Sequence, residues 1–230
     1  PARSGHHRFL RLIPPAWPVT MSHSPQVPLS CQQRINDLLA TGTRKILGIV
    51  APPGAGKSTL AQALLARYGA LVQIVPMDGF HLANTELERL GRRARKGAPD
   101  TFDAAGYVNL LRRIKTQTAP EVVYAPDFRR EIEEAVAGAI PVAPHTPLIV
   151  TEGNYLLLDD VPWASLRGLF DDIWYLNVDA TLRHERLLAR HRQFGRSIDQ
   201  ALDWIASTDE PNAVRIAHTR HRASLQVDWV

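Results

Sequence analysis

Apolar residues recur along this chain in two patterns, short continuous runs and longer segments with helical spacing. The runs predict buried strands at residues 45–50, 71–76, 148–151, 173–178 and 225–230. The helical spacing predicts helices at residues 30–39, 60–68, 85–90, 104–116, 182–191 and 198–207. We expect Ser30 to cap the first helix and Gly42 to close it. Such alternation is typical of an α/β fold, in which helices cover a parallel sheet that binds ligands at the carboxyl ends of its strands.

Two regions are less regular. Residues 121–124 are predicted to be extended, and residues 128–137 fit a strand or a helix equally well. Residues 1–30 are rich in proline and have no sustained periodicity, which predicts a mobile tail before a single domain at 31–230. Prolines and Arg11 interrupt the apolar stretch 9–19, so neither a signal peptide nor a membrane span is expected, and Met21 is a candidate native start.

The segment Ala51–Thr59 carries the clearest chemistry in the chain, because it joins a predicted strand to a predicted helix. Its glycines allow backbone N–H groups to surround an anion, and the helix that starts near Lys57 directs its positive end to the same place. Lys57 is expected to reach the β- and γ-phosphates, and the Ser58 hydroxyl to ligate Mg²⁺. The predicted nucleotide contacts are Pro53, Gly54, Ala55, Gly56, Lys57, Ser58 and Thr59.

The segment Ala51–Thr59 does not match the phosphate-binding P-loop pattern G-x-x-x-x-G-K-[ST] completely, since Ala51 stands where the pattern has its first glycine. Alanine is strained there if the turn requires positive φ, and unstrained if the residue continues the strand. The alternative interpretation is a turn rich in glycine and proline that contains Lys-Ser by chance.

Composition narrows the function class. The chain has 230 residues, 45% of them hydrophobic, which suits one well-formed core. Its net charge of +4 comes from scattered arginines without a nucleic-acid-binding motif, so an anionic small molecule explains the charge as well as nucleic acid does, and we expect no nucleic-acid or membrane partner. Cys31 is the only cysteine, which excludes an intrachain disulfide and favours a reducing, cytoplasmic location.

Phosphoryl transfer also requires carboxylates at strand ends. Asp78 follows the second predicted strand and is the candidate general base, although Asp-Gly is also a common turn pair. His81 is a candidate acceptor contact, or else a structural or solvated histidine. Glu152 ends the strand 148–151 in a Walker-B-like position and is the candidate Mg²⁺ ligand beside Ser58; an ordinary strand-to-turn boundary is the alternative.

The predicted helix 182–191 and the segment after it, which contains Gly195, carry four arginines, namely Arg186, Arg190, Arg192 and Arg196. Guanidinium groups suit phosphate oxygens, and such a segment can close over a triphosphate and exclude water. We assign Arg190 and Arg196 to catalysis and Arg192 to the nucleotide. The alternative for any one of them is a solvated helix face. The basic stretch 92–97 is, by charge alone, a solvated loop.

Taken in order, these segments resemble the P-loop small-molecule kinases, a family that includes uridine kinase, pantothenate kinase and phosphoribulokinase. The resemblance covers about residue 46 to the C-terminus. Residues 77–81 resemble the acceptor-base segment, 95–103 a segment on the acceptor side of pantothenate kinase, 151–155 the acidic strand end and 190–196 the lid. Residues 124–130 and 133–140 are similar to a bacterial subgroup of fructose-transport-system or nucleoside/nucleotide kinases.

The resemblance implies a three-layer P-loop sandwich with a small helical lid, ATP as donor and Mg²⁺ as metal. It implies Lys57 and Ser58 at the phosphates and Asp78 as the base. We assign His81, Lys96, Phe102 and Tyr155 to the acceptor, and place Asn212 beside the nucleotide or acceptor.

The main hypothesis is therefore an ATP-dependent kinase that acts on a hydroxyl of a small metabolite such as a sugar, a nucleoside or a vitamin precursor; a homodimer is compatible with it. A nucleotide-dependent switch that acts on a protein partner is the second hypothesis, although the chain has no [NT]-K-x-D and no L-S-G-G-Q sequence. A nucleotide-binding module that has lost catalysis is the third.

Overall fold

A computed structural model describes residues 26–229 of the chain. Five parallel strands form the central sheet in the order β2-β5-β1-β6-β7. These strands are β1 (Lys45–Val50), β2 (Val72–Ile74), β5 (Leu148–Gly153), β6 (Asp172–Asn177) and β7 (Leu225–Asp228). The central strand β1 is thus flanked by β5 and β6, which follow it much later in the chain, and this reversal of strand order creates a crevice at the carboxyl edge.

Helices cover both faces of the sheet, as predicted. Their bounds are α1 (Leu29–Ala40), α2 (Lys57–Tyr68), α3 (Asn84–Arg89), α4 (Ala104–Lys115), α5 (Ala180–Gln193), α6 (Ile198–Trp204) and α7 (Glu210–Ala217). Successive strand residues point to opposite faces, so Ile46 and Val50 pack with α4 while Leu47 and Ile49 pack with α1 and α2. The result is two hydrophobic cores and three layers, the P-loop sandwich that the sequence predicts.

The start of the domain differs from the prediction. Ser30 lies inside α1, which begins at Leu29, and Pro28 precedes the helix without a side-chain cap. The predicted cap is wrong because a capping residue must stand just before the first helical residue. Val27 is buried against the α1 and α2 core. The remainder of the predicted tail, with Met21, lies outside the described residues.

The ambiguous segment 128–137 is the middle of a hairpin. Strands β3 (Val123–Arg129) and β4 (Glu134–Val142) pair antiparallel and form a second, two-stranded sheet. The hairpin packs against a short 3₁₀ turn, Met77–Phe80, that follows β2. It therefore stands beside the carboxyl edge of the main sheet.

The last helical region is longer than predicted. α6 starts with a capping box made by Ser197 and Gln200, continues through a π-helical turn at Ile205–Asp209 and joins α7. Together with the end of α5 these helices form the predicted small lid. No helix among residues 26–229 is long and apolar enough to cross a membrane.

Candidate active site

A cavity of about 840 Å³ opens at the carboxyl edge of the sheet, between the P-loop, the β3–β4 hairpin and the lid. The parallel register pairs Ile49 of β1 with Glu152 of β5, so the P-loop and the acidic strand end are neighbours. Most of the predicted site residues line this cavity: Pro53, Gly54, Gly56, Lys57, Ser58, Thr59, Asp78, His81, Lys96, Phe102, Glu152, Arg190, Arg196 and Asn212. Residues separated by up to 159 positions in sequence meet there because the strands end at one edge.

The P-loop requires its two glycines. Gly54 and Gly56 have φ of +80° and +90°, a region that side-chain-bearing residues rarely adopt. A Cβ atom at Gly56 would lie 2.8 Å from Nε1 of Trp229, and one at Gly54 would lie 2.7 Å from Cγ of Leu187. The loop is therefore closed to side chains at both positions, as expected of a backbone cradle for an anion.

Ala51 is not strained. Glu133 is the one non-glycine residue with positive φ in the described range 26–229. Ala51 is buried, and its carbonyl group accepts a hydrogen bond from Lys57. The missing glycine therefore causes no backbone strain, because Ala51, directly after β1, does not adopt positive φ. Ala55 is buried as well, and its N–H closes a turn onto the Pro52 carbonyl.

Lys57 is held by three neutral acceptors. Its Nζ atom lies 3.0 Å from the Ala51 carbonyl oxygen, 3.3 Å from that of Pro52 and 2.6 Å from Oδ1 of Asn154. Burial lowers the pKa of Lys57 to about 8, although Glu152 and Asp78 favour its charged form. The ammonium group thus lies close to two carboxylates with no direct ion pair, which suits a group that exchanges its partners for phosphate oxygens.

Ser58 and Glu152, the two predicted Mg²⁺ ligands, are in direct contact. The Ser58 hydroxyl donates to Oε1 of Glu152 over 2.9 Å. Burial, and then repulsion by Asp78, raises the pKa of Glu152. Hard oxygen donors beside a phosphate cradle fit Mg²⁺, which commonly takes one or two protein ligands together with phosphate and water. Within residues 26–229, no three or more His, Cys, Asp or Glu side chains are grouped so that they could hold a metal ion.

Asp78 lies in the 3₁₀ turn after β2, within the same cavity. Burial alone would raise the pKa of Asp78, but His81, when its ring is protonated, and the positive charges of Arg130, Lys57 and Arg190 lower it below its ordinary value. The carboxylate is therefore ionised and able to accept a proton or a hydrogen bond. Its one side-chain partner among the described residues is Arg130, whose NH2 lies 3.3 Å from Oδ2.

His81 is fixed between aromatic rings. Its ring centroid lies 4.0 Å from that of Phe102 and 4.6 Å from that of Phe128. Burial lowers the pKa of His81, so the ring is neutral near pH 7. Nδ1 lies 2.7 Å from the Asp78 carbonyl oxygen, which can only accept, so Nδ1 carries the proton and Nε2 remains an acceptor. His81 can therefore orient a hydroxyl group but cannot donate to it.

Tyr155 and Lys96, two of the residues predicted to bind the phosphoryl acceptor, hold other parts of the site in place. Tyr155 is fully buried and its hydroxyl donates to the Gly97 carbonyl, so it holds the loop that carries Lys96 and does not line the cavity. Lys96 is buried and donates to Asn84 and to the Glu133 carbonyl, which ties the basic loop to the hairpin. The segment 92–97 is thus not simply a solvated loop.

The lid arginines divide by helical position. Arg186 and Arg190 are four residues apart, share one face of α5 and line the cavity. Nη1 of Arg186 is buried without a hydrogen-bond partner in the described part of the chain, and this group lies next to Gly56. A buried donor of this kind beside the cradle is suited to bind a phosphate oxygen. Arg192 is exposed and lies outside the cavity, which does not support its predicted assignment to the nucleotide; two residues advance a helix by more than half a turn.

Arg196 is held by a network that sequence reasoning missed. It lies 2.9 Å from Nδ1 of His191 and 3.9 Å from the ring centroid of Trp204, measured from Cζ. His191 in turn lies 2.7 Å from the buried carboxylate of Asp209, measured from Nε2. Since Arg196 can only donate, Nδ1 accepts and Nε2 donates. This network connects α5 with the π-helical turn and positions one lid arginine at the cavity.

Arg130 and Asn154 are the other functional candidates that the sequence did not reveal. Both lie within segments quoted for the family resemblance, yet neither segment indicates which of its side chains enters the cavity. Arg130 is the informative case, because its neighbour Arg129 has the same chemistry and lies outside the cavity.

No protein-family model matches the chain. It is 40% identical over 167 residues to "Putative uridine kinase C227.14" of Schizosaccharomyces pombe, a match that covers 69% of this chain and 71% of that protein. It is 35% identical over 190 residues to "Uncharacterized protein YggC" of Escherichia coli, covering 80% and 78%. A solved structure titled as a "putative fructose transport system kinase" from Silicibacter sp. TM1040 shares 36% identity and a TM-score of 0.77, covering 86% of this chain and 97% of that one.

Proposed function

This chain belongs to the P-loop small-molecule kinases, and we propose that it transfers the γ-phosphoryl group of ATP to a hydroxyl group of a small metabolite. The observation that carries the proposal is the common cavity of the P-loop and the Asp78 carboxylate. A phosphate donor held by Lys57 would thus lie in the same space as a group that can activate an alcohol.

Six side chains of the cavity have parts in the proposed reaction. Asp78 accepts the proton of the reacting hydroxyl, and His81 accepts a hydrogen bond from a second polar group of the same acceptor molecule, which orients it. Lys57 and Arg190 donate to phosphate oxygens and stabilise the negative charge that builds up in the transition state. Arg186 and Arg196 help to enclose the phosphates and exclude water.

Ser58 and Glu152 are the residues that would hold Mg²⁺. A bound Mg²⁺ neutralises charge on the transferring phosphate groups. Glu152 would gain a further counter-charge beside its buried carboxylate, in addition to Lys57 and Arg130.

The names of the relatives suggest nucleosides and sugars as first acceptors to test. Purified protein with Mg-ATP is expected to release ADP only when a suitable alcohol is present, measured by coupled ADP detection with uridine, fructose, pantothenate and D-glycerate. A parallel series with GTP serves as the comparison. Acceptor-independent hydrolysis, or a marked preference for GTP, would favour a nucleotide-dependent switch and contradict the proposal.

A further inference from the structure

We propose that the acceptor of this kinase carries an anionic group, a carboxylate or a phosphate, and that Arg130 binds it. The inference rests on the proposed function, because it names the class of alcohol that the same cavity takes. It assigns a role in specificity to a residue of the β3–β4 hairpin.

Arg130 has an incomplete set of partners. It follows β3 directly, lines the cavity and leaves 37% of its side chain exposed. Its single hydrogen bond to another described residue is the one to Asp78, and its guanidinium carbon lies 5.8 Å from the ring centroid of Phe128. A guanidinium group has five N–H donors arranged to bind a carboxylate or phosphate in pairs. Most of the donors of Arg130 are therefore available to a ligand.

The charges of the cavity favour an anion. Its basic lining residues are Lys57, Arg93, Lys96, Arg130, Arg186, Arg190 and Arg196, and its acidic ones are Asp78, Glu133, Glu152 and Asp209. Burial lowers the pKa of Arg190, and the positive charge of Arg130 lowers it further. The two guanidinium groups are thus close enough to repel each other, and negative charge near them relieves that repulsion.

The position of Arg130 points to the acceptor more than to the nucleotide. Arg186 and Arg190 belong to the lid and flank the P-loop, whereas Arg130 belongs to the hairpin beside the proposed base. Phe128 lies in β3, two residues before Arg130, and packs against His81, the proposed acceptor contact. An alcohol bound at Asp78 therefore lies next to Arg130. An anionic group on that alcohol can take the place of the Asp78 carboxylate as the hydrogen-bond partner of Arg130.

Arg129 provides a matched control. It carries the same charge, lies one position earlier, is half exposed and pairs with Asp127 at 3.4 Å outside the cavity. Arg129→Gln and Arg130→Gln therefore change the net charge of the protein equally, and differ in whether the lost guanidinium group lines the cavity.

The test uses pairs of acceptors that differ in charge: D-glycerate and glycerol, pantothenate and pantothenol, fructose 6-phosphate and fructose. We expect the wild type to prefer the charged member of at least one pair by tenfold or more in kcat/KM. Arg130→Gln should lower kcat/KM for that member about tenfold to a hundredfold, the usual range for a lost charge-assisted hydrogen bond. Arg129→Gln should stay within threefold, and the KM for ATP should stay within threefold in both variants.

Three results would overturn the inference. Equal or faster turnover of the neutral members would do so while leaving the proposed kinase function intact. A raised KM for ATP in Arg130→Gln, with equal losses for charged and neutral acceptors, would assign Arg130 to the γ-phosphate. Failure of every acceptor to stimulate ADP release would contradict both this inference and the proposed function.

Discussion

The proposed nucleotide side of the cavity is built around one continuous stretch of chain, to which the lid adds arginines, whereas the proposed acceptor side is assembled from separate segments. Residues 51–59 form the P-loop and start its helix, and the cradle is made of backbone groups set by Gly54 and Gly56. The acceptor side brings together Asp78, Phe102 and Arg130 from a 3₁₀ turn, a loop and a hairpin. The first is determined by local conformation and the second by packing.

Because of this difference, the two sides of the cavity tolerate different kinds of substitution. A backbone cradle tolerates few substitutions but binds any triphosphate in the same way. Side chains on a hairpin and loops can change without loss of the sheet, so they are suited to decide which alcohol is bound. Mutations on the two sides should therefore affect different kinetic constants, and the following predictions test this separation.

The largest effect is expected at the proposed base. Asp78→Asn keeps the size of the side chain and removes its ability to take a proton, so kcat should fall about 10²–10⁴-fold. Binding of Mg-ATP, measured by isothermal titration calorimetry, should change by less than threefold. Asp127→Asn, which changes a carboxylate of β3 outside the cavity, is the control and should leave kcat within twofold. Turnover by Asp78→Asn close to the wild-type rate would exclude Asp78 as base.

Lys57 tests the nucleotide side. Lys57→Met should lower kcat by about 10²–10³, because it removes a donor to the phosphates. The melting temperature of the nucleotide-free protein should rise by about 2–4 °C, since burial disfavours the charged form and methionine fills the site without charge. Lys45→Met is the control, because Lys45 lies at the end of β1 that is farthest from the P-loop, and it should leave activity unchanged. A lowered melting temperature in Lys57→Met would show that its three hydrogen bonds outweigh the cost of burying the charge.

The lid arginines offer a comparison within one helix. Arg190→Ala should reduce kcat/KM for ATP about 10²-fold, because Arg190 lines the cavity. Arg192→Ala should change it by less than twofold, because that side chain is exposed outside the cavity. Steady-state kinetics at saturating acceptor separates the two. Similar losses in both variants would mean that α5 contributes through its net charge and not through position.

The smallest effect is expected at Tyr155, which lies in the core behind the loop that carries Lys96. Tyr155→Phe leaves the Gly97 carbonyl without its donor, so the free energy of unfolding should fall by about 1–3 kcal/mol. The KM for the acceptor should rise a few-fold while the KM for ATP stays constant, because the loop that carries Lys96 is loosened. Urea unfolding and steady-state kinetics measure the two effects. A selective rise in the KM for ATP would contradict the division between the two sides.

Much of the fold could be predicted from the sequence because its signals are local. The predicted strand 45–50 has the same bounds as β1, and α4 ends one residue before the predicted end at 116. The hairpin and α7 were harder. β3 and β4 lack clear alternation, with half-exposed residues on both faces, and α7 continues from a π-helical turn that periodicity does not reveal.

For the site, the sequence by itself determined the P-loop, the strand-end carboxylates Asp78 and Glu152, and the presence of a basic lid. These depend on backbone conformation within a few residues and on strand ends that meet at one edge of a parallel sheet. Only the tertiary structure decided that Arg130 enters the cavity while Arg129 does not, that Arg192 points away and that Tyr155 lies in the core. The direction of a side chain depends on the register and packing of segments far apart in the chain, and that information is absent from any single stretch of sequence.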